Sequence, residues 1–347
     1  MVIVSMAPIT AQAGDAVEII GSSGDGLGNP FDGPYGVAVD AGGNVYVAGW
    51  NSDNVFRISP TGEITEIIDA SGDGSGHVLD SPPRVTVDAW GNAYVTGWSS
   101  HNAFKITPAG VITQIIDRSG DGLGHLLGGT ESVAVGASGN VYVTGWQTDN
   151  AFKIAPGGVI TEIIDSSGDG LGNTLDATYG LAVGPNGDAY VTGFDSDNVF
   201  RITPAGAITE VMDSSGDHLG NSLDAPHNVA VDRLGNVYVA GYSSHNAFKI
   251  TPTGVISEII DSSGDGLGNT LAGPHGVVSS PSGTVYLVGN LSDNAFRIGP
   301  PAGAVPALST WSVICLALML SAVSIFLSGG VRRGRPSLRD RAHNRLQ

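Results

Sequence analysis

The sequence repeats itself every 48 residues, and this period constrains the fold more than any other feature. The aspartate of an SGD tripeptide recurs at this spacing as Asp25, Asp73, Asp121, Asp169, Asp217 and Asp265. The tyrosine of the NVYV segment keeps the same register, as Tyr46, Tyr94, Tyr142, Tyr190, Tyr238 and Tyr286. No insertion or deletion breaks the period, so each copy is expected to form one supersecondary unit that stacks on its neighbours.

Each copy has the pattern of four short strands separated by turns. In the first copy the strands are GVAVD (36–40), NVYVAGW (44–50), VFRIS (55–59) and ITEIID (64–69), which are rich in β-branched and aromatic residues. The AGGN, NSDN and PTGE segments between them hold the residues that turns require. A total of 52 glycines and a charged fraction of only 14% also favour short strands over helices. Six such units predict an all-β, six-bladed β-propeller with four-stranded blades around a central channel.

The chain begins with a segment that matches the end of its own repeat. VEII at 17–20 resembles TEII at 65–68, which is the fourth strand of a copy, whereas the last copy stops at NAFRIGP (294–300) without one. We expect this N-terminal strand to complete the last blade and to close the ring, because closure removes the exposed sheet edges. The predicted propeller therefore spans residues 17–300.

Both ends of the chain have the pattern of targeting segments. Residues 1–16 contain an apolar stretch and a small-residue Ala-Gln-Ala site, which predicts the remnant of a signal peptide. Residues 311–331 contain no charged side chain, which predicts a transmembrane helix. The arginines in 332–347 predict a basic tail that stays in the cytoplasm and leaves the propeller outside.

Charge and cysteine content exclude several classes of partner and site. The formal net charge is −18, and the arginine-rich tail makes the remainder of the chain still more acidic, so a nucleic-acid partner is excluded. Cys315 is the one cysteine, which excludes an internal disulfide framework.

The repeat resembles two known propeller families. The segment PYGVAVDAGGNVYVAGWNSDNVFRISPTGEITEII (34–68) is similar to the NHL repeat, with its Pro-x-Gly strand, Gly-Asn-x-Tyr and Pro-x-Gly turn. GNAYVTG (91–97) resembles the bacterial SBBP β-propeller repeat. The resemblance implies a propeller that serves as a binding scaffold or, in a few relatives, as a lyase.

The C-terminal tail resembles the IPTL-CTERM sorting signal of Gram-negative bacteria. VPALSTWS (305–312) begins in the predicted linker and sorting motif at 301–310 and runs into the apolar stretch at 311–331. The matching positions are Pro306, Leu308, Ser309 and Trp311, whereas Val305, Ala307 and Ser312 depart from the common letters. The resemblance implies processing by a sorting protease and a place in the inner membrane or at the cell surface.

Differences between copies point to the mouth of the channel as a candidate ligand site. The residue just before the first strand changes from copy to copy, as Tyr35, Pro83, Glu131, Tyr179, His227 and His275. In a ring these positions face the channel mouth, so the ligand-binding prediction is Tyr35, Glu131, Tyr179, His227 and His275. The alternative is that these side chains only hydrogen-bond neighbouring loops.

The same position offers a possible zinc site. His227 and His275 with Glu131 combine imidazoles and a carboxylate, which are zinc ligands. The GPHG segment (273–276) is similar to the zinc-holding Pro-His-Gly of the peptidyl-hydroxyglycine lyase, a propeller of NHL type, and APHN (225–228) matches in part. A third histidine is missing at this register. Hydrogen bonding of the two histidines to neighbouring loops therefore remains the favoured interpretation.

Two further sets of residues have a functional and a structural interpretation. Asp165, Asp169 and Asn173 in an SGDGLGN loop could hold calcium, or could accept hydrogen bonds from loop amides. The aromatic position at the end of the second strand could stack on sugars, but packing between blades is favoured; it comprises Trp50, Trp98, Trp146, Phe194, Tyr242 and Asn290. His101 and His245, which replace aspartate in the adjacent loop, are interpreted as drift.

The sequence as a whole favours an exported, membrane-tethered propeller that binds a protein or carbohydrate ligand and requires no cofactor. The rival is a metal-dependent lyase or hydrolase at the channel mouth. No nucleophile, phosphate-binding or zinc-protease motif supports an enzyme.

Overall fold

The computed structural model describes residues 18–281 and 283–299, and they form 23 strands in six antiparallel sheets. Each sheet is one blade, and its strands follow one another in sequence order from the channel outwards. The prediction of an all-β, six-bladed propeller is confirmed. The first strands of neighbouring blades line the channel, where they lie against one another.

The first three blades have four strands each. They are β1 (Pro34–Val39), β2 (Val45–Gly49), β3 (Asn54–Ile58) and β4 (Ile64–Ile68); β5 (Val85–Val87), β6 (Ala93–Gly97), β7 (Asn102–Ile106) and β8 (Ile112–Ile116); and β9 (Thr130–Val135), β10 (Val141–Gly145), β11 (Asn150–Ile154) and β12 (Ile160–Ile164).

The next two blades repeat this plan, and the sixth has three strands. They are β13 (Thr178–Val183), β14 (Ala189–Gly193), β15 (Asn198–Ile202) and β16 (Ile208–Met212); β17 (Pro226–Val231), β18 (Val237–Gly241), β19 (Asn246–Ile250) and β20 (Ile256–Ile260); and β21 (Pro274–Ser279), β22 (Val285–Gly289) and β23 (Asn294–Ile298).

The core lies between blades rather than inside any one of them. The third strand of a blade carries a phenylalanine that is fully buried in five blades, as Phe56, Phe104, Phe152, Phe200 and Phe248. In five clusters the repeat tyrosine of one blade joins the core of the next, as Tyr46 does with Val95 and Phe104. Burying such a phenylalanine contributes roughly 1.5–3 kcal/mol, so the period repeats one packing solution.

A buried asparagine fastens the connecting loop to its blade in blades 1 to 5. In blade 3, Asn150 donates to the carbonyl oxygen of Leu126 at 2.9 Å and to Oε1 of Glu162 at 2.8 Å, and it accepts from Oγ1 of Thr148 at 2.7 Å. The side chain is 3% exposed. Because its polar atoms are paired across 24 residues of sequence, the loop and the third strand hold a fixed relation.

The junction between blades 6 and 1 differs from the other five. Glu18–Ile20 belong to no strand, and Val17 lies outside the described residues, so the predicted pairing of 17–20 with the last blade is not among the described strand pairings. Ile20 nevertheless packs beside Phe56, as Ile68 packs beside Phe104 one repeat later. At this junction the apolar side chains are exposed, with Val37 at 67%.

The predicted targeting segments are not part of the described structure. The signal-peptide remnant, the sorting motif, the transmembrane helix and the basic tail lie outside 18–281 and 283–299. Within those two ranges there is no helix with the length and apolar character needed to cross a membrane.

Candidate functional site

A backbone irregularity at the start of the first strand turns the variable position into the channel. In blade 1 the pairing of β1 with β2 shifts between Pro34 and Val37, so that Tyr35 has no partner in the ladder. The same shift occurs in blades 3, 4, 5 and 6. A bulge of this kind re-aims one side chain. Blade 2 carries Pro83 here, and its first strand begins only at Val85.

The aromatic and imidazole side chains at this position form a stack across the channel mouth. The ring centroids of Tyr179 and His227 lie 4.0 Å apart, and those of His227 and His275 lie 3.6 Å apart. Tyr35 of blade 1 follows at 6.1 Å from His275. The structure therefore brings four of the five predicted ligand-binding residues into contact, from blades 4, 5, 6 and 1.

A second set of rings surrounds this stack at the ends of the second strands. Trp50 and Trp98 have centroids 5.9 Å apart, and Trp98 and Trp146 have centroids 6.2 Å apart. Phe194 and Tyr242 continue the pattern at 6.4 Å. These rings do pack blade against blade, as the sequence favoured. The three tryptophans are only half-buried, however.

A cavity of about 260 Å³ lies between this stack and the rings of Trp50, Trp98 and Trp146. The residues that line it are Tyr35, Trp50, Trp98, Glu131, Trp146 and Tyr179. Glu131, the fifth predicted residue, therefore reaches the same mouth from blade 3. A larger hollow of about 440 Å³ lies near the tight turns of blades 4 and 5, but its Asp188 and Arg201 already pair with each other at 2.6 Å.

Buried side-chain nitrogen and oxygen atoms without a hydrogen-bond partner occur only at this mouth within the described residues. The five atoms are Nε of Arg84, Oγ1 of Thr130, Oε1 of Glu131, Oγ1 of Thr178 and Nδ1 of His227. All belong to three consecutive positions of the 48-residue repeat. Leaving a buried polar group unpaired costs about 1–3 kcal/mol, and each such group in a folded protein calls for an explanation.

Burial shifts the proton equilibria of the mouth residues. Glu131 is 3% exposed, and burial raises the pKa of its carboxyl to about 7, against a smaller lowering by the charge of Arg84. Burial also lowers the pKa of His227 to about 2 and that of His275 to about 4. Both imidazoles are therefore neutral at physiological pH, and Arg84 is the permanent positive charge of the channel.

In the described structure the predicted zinc residues are not arranged as a ligand group, and the zinc site stays a prediction. No group of three or more His, Cys, Asp or Glu side chains among the described residues is placed to hold a metal ion. Two imidazoles on one zinc would have centroids about 5 Å apart, given Zn–N bonds of about 2 Å at tetrahedral angles. The 3.6 Å stack of His227 and His275 is closer than this.

The predicted calcium residues are occupied by their own loop. Oδ1 of Asp165 accepts from the amide of Ser167, and Oδ1 of Asp169 accepts from the amide of Leu171, each at 2.8 Å. Asn173 donates its side-chain amide to Oδ2 of Asp169 at 2.8 Å. These contacts fit the structural interpretation, in which the aspartates order a glycine-rich loop.

Two histidines of the neighbouring loop have a structural task that the sequence did not reveal. Nδ1 of His101 accepts from the amide of Gly129 at 2.8 Å, and Nδ1 of His245 accepts from the amide of Gly273 at 3.0 Å. In other blades an aspartate does this, as Asp149 does for Ala177. A neutral imidazole therefore supplies the same acceptor as the aspartate that it replaces.

Arg84 is the mouth residue that sequence reasoning missed. Its charge acts on Tyr35, Glu131, Tyr179 and both mouth histidines. A signal was present in the repeat, because this position holds a small or amide side chain in the other copies: Gly36, Ser132, Gly180, Asn228 and Gly276.

Comparison with known proteins supports the fold. Residues 219–249 match the family model of the SBBP beta-propeller repeat, which confirms that resemblance for this copy. No curated protein sequence matches the chain.

Several solved structures are similar in fold. Hydrazine synthase from Kuenenia stuttgartiensis is 18% identical with a TM-score of 0.57, covering 77% of this chain and 83% of that chain. A gluconolactonase from Xanthomonas campestris is 14% identical with a TM-score of 0.53, covering 79% and 88%. An auxiliary nutrient binding protein from Bacteroides thetaiotaomicron is 14% identical with a TM-score of 0.54, covering 78% and 69%. At these identities the likeness shows the fold alone.

Proposed function

We propose that the protein is a binding module that takes a small ligand at the channel mouth. The observation that carries this proposal is the confinement of unpaired buried polar atoms to the mouth, beside an aromatic-walled cavity. A scaffold that repeats a satisfied hydrogen-bond plan has no structural reason to leave polar atoms unpaired in one place. Ligand groups that pair with these atoms would recover the cost.

The proposal includes export and attachment to a membrane. Its support is the sequence of the two termini, with the apolar leader, the uncharged stretch at 311–331 and the arginines after it. The similarity of 305–312 to a sorting signal adds processing by a protease at the surface of a Gram-negative cell. One structural relative is named as a nutrient binding protein, which is consistent with a binding role for a propeller of this shape.

The rival proposal of a metal-dependent lyase or hydrolase has less support. It requires a metal at His227, His275 and Glu131, and the described side chains offer no such group. Stoichiometric zinc or calcium in the purified protein that is lost on His275→Ala would reverse this preference.

A ligand screen tests the binding proposal directly. The full-length protein would be screened by thermal shift and tryptophan fluorescence against monosaccharides, oligosaccharides, amino acids and small amines. At least one class should raise the melting temperature and change the fluorescence, and Trp98→Ala should abolish both effects. Trp90→Ala is the matched control, because Trp90 is 63% exposed on a tight turn away from the cavity. Ligand effects that survive Trp98→Ala, or a complete lack of response, would refute the mouth as the site.

A further inference from the structure

The cavity at the channel mouth combines aromatic walls with one carboxylate. Two tyrosines and three tryptophans supply the rings, and Tyr35 contacts Trp50 with centroids 5.4 Å apart. The faces of such rings carry partial negative charge, which attracts a cation within about 6 Å of the centroid, and tryptophan does so best.

Glu131 is the one charged side chain among the residues that line this cavity. Its Oε1 atom has no hydrogen-bond partner, and the side chain is 3% exposed. A buried carboxylate is costly to ionise unless a counter-charge accompanies it. The charge of Arg84 meets this need only in part, because it lowers the pKa of Glu131 less than burial raises it, and the described residues show no ion pair between the two side chains.

We propose that this cavity binds an organic cation of the alkylammonium class, with the tryptophan and tyrosine rings around its charged head and the Glu131 carboxylate as its counter-ion. The proposal rests on the proposed function and names the ligand class of the same site. A cavity of about 260 Å³ holds several times the volume of a water molecule, about 30 Å³, so a head group of several heavy atoms fits.

An inorganic cation does not fit the same observations. A metal ion needs several oxygen, nitrogen or sulfur ligands at short range, and here one carboxylate stands among apolar rings. A neutral sugar would use the rings as stacking platforms but would leave the carboxylate without its counter-charge. The cation explains the rings and the carboxylate together.

The charges around Glu131 set the pH dependence of binding. Arg84 is the basic side chain of the mouth. His227, His275, Tyr35 and Tyr179 are neutral near pH 7, because burial lowers the pKa of the two imidazoles and raises the pKa of the two phenols. Glu131, with a pKa of about 7 in the free protein, is then the group that titrates. Because the cation binds the ionised form, affinity should rise as the pH rises through 7.

Isothermal titration of the full-length protein with choline tests this inference. The control ligand is 3,3-dimethylbutan-1-ol, which has the same shape without the charge. Choline should bind at pH 8 at least tenfold more tightly than the alcohol. Its affinity should fall about tenfold at pH 6, where about a tenth of a carboxylate with pKa 7 is ionised.

Variants separate the carboxylate from the rings. Glu131→Gln should lower choline affinity at least tenfold and remove the pH dependence, and Trp98→Ala should lower affinity at both pH values. Trp90→Ala should leave it unchanged. Thermal unfolding of each variant establishes that it folds.

Three outcomes would overturn the inference. Equal affinity for choline and its neutral isostere would make the cavity merely apolar, and choline affinity unchanged in Glu131→Gln would remove the counter-ion. A maltose arm in the same titration gives the third outcome. Maltose binding that is lost in Trp98→Ala, with no choline binding, would replace the cation by a sugar and leave the proposed function standing. No response to any ligand in the wider screen would end both proposals.

Discussion

The connecting loops and the channel mouth are parts of the same 48-residue repeat, but they follow opposite rules. In the loops the copies agree, and the aspartates accept hydrogen bonds from loop amides, as Asp169 does from Leu171 and Asn173. At the mouth the copies differ from blade to blade, and five buried polar atoms have no partner. The shared backbone conformation of the loops explains why their residues agree between copies. The differences at the mouth are not required by that conformation.

Loop residues stabilise the ring of blades, whereas mouth residues are available to bind a ligand. A loop residue should lower stability when it is changed, because it satisfies a local requirement that recurs in each blade. A mouth residue such as Glu131 should instead raise stability when its polarity is reduced. Stability measurements on matched variants of the two regions therefore test this distinction.

The largest effect is expected at a loop glycine. A Cβ on Gly168, which has φ +64°, would lie 1.8 Å from the carbonyl oxygen of Asn173, so Gly168→Ala should force the loop apart and lower the free energy of unfolding by about 3 kcal/mol or more. Gly170, with φ +72° and no atom near its Cβ position, is the control. Gly170→Ala should cost only about 1–2 kcal/mol. Urea unfolding of both variants measures this, and equal losses would contradict the role of the close contact.

The mouth should respond in the opposite direction. Burial raises the pKa of Glu131 from 4.5 to about 7, so the folded protein holds a proton that the unfolded chain releases between these values. The free energy of unfolding should therefore fall as the pH rises from 4.5 to 7, by at most about 3 kcal/mol for this group. Glu131→Gln should remove this fall and be more stable than the wild type at pH 8.

Urea unfolding at pH 5 and pH 8 checks the response of Glu131. Glu63→Gln, on an exposed turn, is the control and should leave the pH profile unchanged. A Glu131→Gln variant less stable than the wild type at pH 8 would mean that the carboxylate is a structural group like those of the loops.

A loop asparagine should show a graded loss. Asn150→Ala removes bonds to Leu126 and Glu162, whereas Asn102→Ala removes a bond to the Val78 carbonyl and has a glutamine, Gln114, in place of the glutamate. Each variant should lose about 1–3 kcal/mol in urea unfolding, with the larger loss for Asn150→Ala. The reverse order would show that the carboxylate bond contributes nothing.

The smallest effect is expected at a histidine that acts as a loop acceptor. His101→Asp should leave the free energy of unfolding within about 0.5 kcal/mol, because aspartate accepts the corresponding amide in other blades. His101→Leu should cost about 1 kcal/mol by leaving the Gly129 amide unpaired.

Acidification gives an independent test of His101. Burial and the charge of Arg118 lower the pKa of this imidazole, so its stabilising contribution is complete above pH 6.5 and is lost as the pH falls through the folded-state pKa. His101→Asp should reduce this loss between pH 6.5 and pH 5. An acid response identical to that of the wild type would contradict the acceptor role.

Much of this architecture could be predicted from the sequence, because the repeat ties each strand to a turn of fixed length. The variable position was predicted to face the channel, and the structure places Tyr35, Glu131, Tyr179, His227 and His275 there. The 48-residue period alone allows this prediction, because residues at the same position of each repeat face the same way in a ring.

Other features depend on contacts that a period does not encode. The tryptophans were assigned to packing, and whether one side of a ring stays open depends on the size of its neighbours across the channel. Arg84 differs from its small counterparts in sequence, but the groups on which its charge acts come from other blades. The role of His101 could not be predicted, because it depends on a hydrogen bond from the amide of Gly129, which lies 28 residues away in the sequence.

The decisive experiment is a crystal structure of the protein with the ligand that gives the largest thermal shift. We expect ligand density in the cavity between Trp50, Trp98 and Trp146, with a ligand atom within hydrogen-bond distance of the Glu131 carboxylate. Density in the hollow beside Arg201, or on the SGDGLGN loops, with the mouth cavity left unchanged, would contradict it.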